Sequence, residues 1–301
     1  MSGFRNVAAW ADSENDGRSW LSFFRKVPAA TATIASQWFD YSTAAGVPVP
    51  NYYASSPLVA AKLDPLTGIF VPAQDTPRWL KKLVLMSAAA SVTGTTNQNQ
   101  SLMLLDYLLY YPFVDLDAAG EEQTLDNSVA LDRYTDGVGV QMMLVTQTPT
   151  AGGGSYQIKY IGSDDVEYTT GVVYCPAAQP SGALCSGVIA AEGISPFVPL
   201  NANVRGVKRV VSLTMAVANG GLASIVLVKP IEMSYVREES RRPTSSPTES
   251  YGDAVEIERI RTRAGSRKLE NNAFLGWIGY GVAGSLASAP LVGYIESFWE
   301  Q

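Results

Sequence analysis

The sequence predicts a mainly β protein, a β-sandwich or jelly-roll-like body with extended N-terminal and C-terminal segments. Three observations carry this. Tyr156, Ile158 and Tyr160 alternate with Gln157, Lys159 and Ile161, and after the Ser163-Asp164-Asp165 loop Val166, Tyr168 and Thr170 alternate back, as in a β-hairpin. Residues 207–217 and 222–231 are two strand-like runs on either side of Asn219-Gly220-Gly221, a second hairpin signal. Val138 to Thr146 is strand-rich in Val and Met, and 47 % hydrophobic residues in a chain of 301 suffice for a sizeable core.

The elements follow in chain order. Residues 1–60 read as an N-terminal arm and first strands. Trp10, Trp20, Phe23 and Phe24 sit there among Asp12, Glu14, Asp16 and Arg18, as an arm with aromatic anchors or a short helix capped by Ser13. Pro48, Pro50 and Pro57 exclude a long helix, and Gln37-Trp38-Phe39-Asp40-Tyr41 has strand composition. Residues 61–236 form the sandwich body, with a subdomain boundary near 150 as one option. In it, 78–93 is helix or strand by pattern. The apolar run from Leu102 to Val114, broken only by Asp106 and Pro112, fits a buried strand if 78–93 is its hairpin partner. Val138–Thr146 is another strand. Residues 237–272 form a charged linker or arm: 14 of the 32 residues over 237–268 are charged, eight of them basic, including Arg241, Arg242, Arg259, Arg261 and Arg263. Residues 273–295 carry no charge, but glycines and Pro290 cut the stretch into strand-length pieces. Residues 273–301 therefore read as a C-terminal β-hairpin packed on the body or on a neighbour.

Composition excludes much chemistry. With no histidine there is no Ser-His-Asp triad, Cys-His dyad or His-ligated zinc. Cys175 and Cys185 are too few for a disulfide framework; they form one bridge or remain two thiols. The net charge of −6 argues against a dedicated nucleic-acid binder. Gly279-Tyr280-Gly281-Val282-Ala283-Gly284 matches G-x-G-x-x-G but lacks the following helix and acid of a dinucleotide site. Asp115, Asp117 and Gly120 begin like a calcium loop, but the twelfth position is Asp126 rather than glutamate, leaving only a weak calcium candidate. No catalytic residue and no cofactor is expected.

Ser101-Leu102-Met103-Leu104-Leu105-Asp106-Tyr107-Leu108-Leu109-Tyr110-Tyr111-Pro112, with Leu125-Asp126-Asn127-Ser128 and Leu131–Met143, resembles virion structural proteins of tailed bacteriophages. Met1–Asn6, Gln37–Asp40 and Leu227-Val228-Lys229-Pro230 point the same way. The resemblance implies a non-enzymatic virion protein, foremost a capsid decoration or cement protein. Such a protein binds the major capsid protein as a homo-oligomer, with a trimer favoured. It would be assembled in the host cytoplasm, with no membrane and no direct nucleic-acid contact. The alternatives are a tail, connector or major capsid component, and a glycan-binding β-sandwich using Trp38, Tyr52 and Tyr53. Expected interface residues are Trp10, Trp20, Phe23, Phe24, the five arginines above, Trp277, Phe298 and Trp299.

Overall fold

The computed structural model describes residues 7–29, 37–90, 100–186, 195–236, 249–251, 255–258, 267–281 and 290–299. The chain is mainly β, in three antiparallel sheets. One short helix, α1 (Val7–Asn15), precedes them. Ser13 lies inside this helix rather than capping it.

The first sheet contains β1 (Ser19–Val27), β3 (Ala45–Val47), β4 (Arg78–Ala90) and β17 (Leu291–Trp299), in the order β4-β17-β1-β3. Three short strands tile the far edge of β4: β13 (Glu249–Tyr251), β14 (Val255–Glu258) and β15 (Arg267–Leu269). The middle sheet runs β2-β16-β5-β12-β7. Its members are β2 (Trp38–Asp40), β5 (Gln100–Asp115), β7 (Gln141–Thr146), β12 (Leu222–Val236) and β16 (Phe274–Gly281). The third sheet runs β10-β8-β11-β6, with β9 also on β8. It comprises β6 (Glu122–Thr124), β8 (Gly154–Gly162), β9 (Glu167–Thr169), β10 (Val173–Cys175) and β11 (Val207–Val217).

The long strands β5 and β12 serve three cores. Leu102 and Leu104 of β5 and Ile231 of β12 pack with Leu83, Leu85, Trp277 and Ile295 in a core shared with the first sheet. Farther along, Leu109, Tyr111, Ile225 and Leu227 pack with Tyr156, Ile158 and Leu213 of the third sheet. On the opposite face Leu105, Tyr107, Val226 and Val228 are covered by Tyr53, Leu184 and Phe274. A sheet buried on both faces needs apolar residues at successive positions, which accounts for the unbroken run in β5. The core shared with the third sheet draws on residues from both sides of residue 150.

The hairpin β8–β9 forms as expected, with Tyr160 opposite Tyr168. The other three expected hairpins do not. β4 and β5, β11 and β12, and β16 and β17 each lie in different sheets. The reason is edge occupancy. β4 is filled by β17 and β13–β15, β5 by β16 and β12, β11 by β8 and β6, and β17 by β4 and β1. Each turn carries the chain from one sheet to another. Nor is residues 19–27 an arm: β1 lies within its sheet, between β17 and β3. Most of 237–272 falls outside the described residues. No described helix is long and apolar enough to cross a membrane.

Candidate interface and buried polar clusters

The outward face of the first sheet carries the candidate site. Strand register sets three rows across β1, β17 and β4: Leu21–Glu296–Lys82, Phe23–Tyr294–Val84 and Arg25–Val292–Met86. Period-two alternation turns Ser22, Phe24 and Lys26 inward and leaves Leu21, Phe23 and Arg25 outward. Phe23 is 67 % exposed, and its ring lies 5.6 Å from that of Tyr294. Leu21 and Met86 are also exposed; Val84, Val292 and Tyr294 are half-buried. The result is an apolar centre with Arg25, Lys82 and Glu296 around it, the layout of a protein–protein contact. A second exposed pair, Trp20 and Phe70, meets edge to face at 6.5 Å.

The expected interface residues divide. Trp20 and Phe23 are exposed. Phe24, Trp277 and Phe298 are buried inside the chain, a correction to their expected role. Phe24 and Trp277 pack ring to ring at 5.8 Å between the first and middle sheets, because their strand positions face inward. Trp299 is half-buried over the Arg78 guanidinium. The Trp10 side chain and Arg241, Arg242, Arg259, Arg261 and Arg263 lie outside the described residues. Sequence reading missed Leu21, Val84, Met86, Val292 and Tyr294. Leu21 and Phe23 alternating around Ser22 were the available signal.

The calcium candidate fails on geometry. Asp115 Oδ1 accepts the backbone N–H of Asp117 at 2.8 Å, and Asp126 Oδ1 that of Ser128 at 2.7 Å. Both carboxylates close local turns. Among the described residues no group of three Cys, Asp or Glu side chains could hold a metal ion.

Among the described residues, Asp40, Asp106 and Glu232 are buried carboxylates on strands of the middle sheet, the first two with no exposure. Asp40 accepts from the Ser42 backbone N–H at 2.8 Å, the Ser42 hydroxyl at 2.9 Å and the Tyr107 hydroxyl at 2.7 Å, and also from the Tyr53 hydroxyl. Burial raises its pKa, and the four donors oppose that rise. With both oxygens engaged and no exposure, Asp40 fixes the Tyr41–Thr43 turn to β5 and offers no site to a substrate. Lys26 clamps the same loop by donating to the carbonyls of Ser42, Ala44 and Val49 at 3.0–3.3 Å; burial lowers its pKa to about 8. Asp106 is held by Arg133, whose Nε and Nη2 donate at 3.1 and 2.9 Å. Burial still pushes the Asp106 carboxyl up to about 7.

Cys175 and Cys185 are free and buried, and Asn219 Nδ2 donates to the Cys175 sulfur at 2.7 Å. Contact with Cys175, reinforced by burial, drives the Cys185 thiol well above its ordinary pKa, so it stays protonated. No protein-family model matches the chain, and no curated protein matches it.

Proposed function

We propose that this chain is a structural protein of a tailed-phage virion that works without catalysis. It sits on the capsid shell as a decoration or cement protein and associates as a homo-oligomer, with a trimer favoured. The single observation that carries the reading is the outward face of the first sheet. Phe23, Leu21 and Met86 are exposed and cluster with half-buried Tyr294 on one sheet face, the kind of apolar surface that marks a protein–protein contact. The resemblance of 101–112, 125–128 and 131–143 to phage virion proteins supports the same reading. Burying that face against a neighbour would resist loosening of the shell mechanically. Immunogold labelling of virions tests the location. Gold on the head surface is expected; gold confined to the tail, or none on particles, would overturn it.

One observation favours a second reading, a glycan-binding sandwich. Tyr52 is 70 % exposed beside a cleft of about 330 Å³ lined also by Asn51, Thr43 and Gln147. Trp38 and Tyr53, expected to share that role, are buried. Specific hits on a glycan array, lost in Tyr52→Ala, would favour this reading over the first.

A further inference from the structure

On one face, β5 and β12 pass from the core of the first sheet to that of the third. Leu104 of β5 and Ile231 of β12 belong to the former, Leu108 and Leu227 to the latter. Between them lie Asp106 and Lys229, opposite each other in register. A charged row on an otherwise apolar face marks the seam between the two cores.

Residues 131–140 cover that seam. Arg133 donates through Nε and Nη2 to Asp106, and through Nη2 to the Tyr107 carbonyl at 3.0 Å. Lys229 Nζ donates to the Val138 carbonyl at 2.6 Å and lies 5.0 Å from the centre of the Tyr134 ring. The segment is also tied to the third-sheet side. Leu131 and Val140 belong to that core, Val138 bridges Gly206, and Gly139 N–H donates to the Arg205 carbonyl at 2.7 Å. Asp132 and Arg133 line a cleft of about 630 Å³ together with Leu66, Phe70 and Val71, of which Val71 belongs to the first-sheet core. Arg133 therefore joins the buried Asp106 to open space.

The charged and titratable groups around Asp106 are Arg133, Asp132 and Tyr134 of this segment and Lys229 of β12; β16 adds the Phe274 N–H and the apolar Leu275. Asp136 and Arg267 act on Lys229, Glu270 acts on Tyr134, and Lys62 pairs with Asp132 at 3.2 Å.

We propose that residues 131–140 form a pH-sensitive latch over the seam. With Asp106 protonated the segment lies against β5 and β12; loss of that proton favours lifting Arg133 and Tyr134 so that water reaches the carboxylate. Burial sets the sign, because it outweighs the pull of Arg133. Closed, the Asp106 carboxyl keeps its proton up to about 7, and lifted into water it returns to its ordinary 3.8. Opening then releases a proton across that window, so the open fraction grows by up to about tenfold per pH unit and levels off above it. The latch is independent of the virion reading.

Hydrogen exchange of the full chain between pH 5 and pH 8, with each amide expressed relative to its unfolded-peptide rate at the same pH, tests it. The Gly139 amide should be less protected than amides at the centres of β5 and β12 at every pH, because it exchanges by local opening. Its protection should fall by about tenfold per pH unit from pH 5 to pH 7 and level off above. Asp106→Asn should flatten that fall. Arg133→Met should carry it past pH 7, and it serves as the readout if Asp106→Asn does not fold. A flat profile in the parent, an unchanged fall in Asp106→Asn, an unchanged window in Arg133→Met, or a Gly139 amide as protected as the centres of β5 and β12 would each overturn the latch.

Discussion

Asp106 shows how one buried residue sets a pH response. Its carboxyl titrates near 7 in the fold against an ordinary value of 3.8, because burial outweighs the pull of Arg133. Between those values the folded chain holds a proton that the unfolded chain has lost, so this group makes stability fall as pH rises from about 4 to about 7. Urea midpoints across that window should decline in the parent, and Asp106→Asn should remove that part of the decline. Arg133→Met removes the cation that opposes the rise, so the Asp106 carboxyl should keep its proton to higher pH and its part of the decline should extend above pH 7 in the same urea series. Asp106 was visible in the sequence only as an interruption of an apolar run. Its partner lies 27 residues away, and nothing local announces the pair.

At the scale of elements, the sequence located strands and turns better than it located their partners. The segments around 38–40, 141–146 and 154–169 form strands where composition and alternation placed them. Three turns were misread as hairpins, because turn chemistry dictates a reversal of direction but not which sheet edge receives the next strand. That choice depends on which edges distant strands fill. Gly220 and Gly221, at φ +71° and +89°, illustrate the point: they make the turn, yet β11 and β12 enter different sheets. An added Cβ on Gly221 would meet the Pro149 carbonyl oxygen at 2.8 Å, so Gly221→Ala should cost about 1–3 kcal/mol by denaturant unfolding. Strand β1 gives a second comparison. Phe24→Ala, in the core, should cost about 3–5 kcal/mol, whereas Phe23→Ala, one position away, should change the stability of the dissociated chain by under about 0.5 kcal/mol. Equal losses would contradict the assignment of the two faces. The candidate interface was legible only in part, because Leu21 and Phe23 come from β1 while Tyr294 and Met86 come from strands far away in sequence.

For the molecule as a whole, the described fold joins three cores through β5 and β12 and leaves on one sheet face an apolar centre with Arg25, Lys82 and Glu296 around it. The absence of histidine excludes a Ser-His-Asp triad, a Cys-His dyad and a histidine-ligated zinc. Asp40, Asp106 and Lys26 are engaged in holding loops to strands. Function on this account resides in what the first sheet is pressed against. The most direct test is sedimentation velocity of the purified full chain beside Phe23→Glu, with circular dichroism confirming that both are folded. The account predicts a discrete oligomer for the parent and a monomer for the variant. A parent that stays monomeric at every concentration, or an oligomer that Phe23→Glu leaves intact, would contradict it.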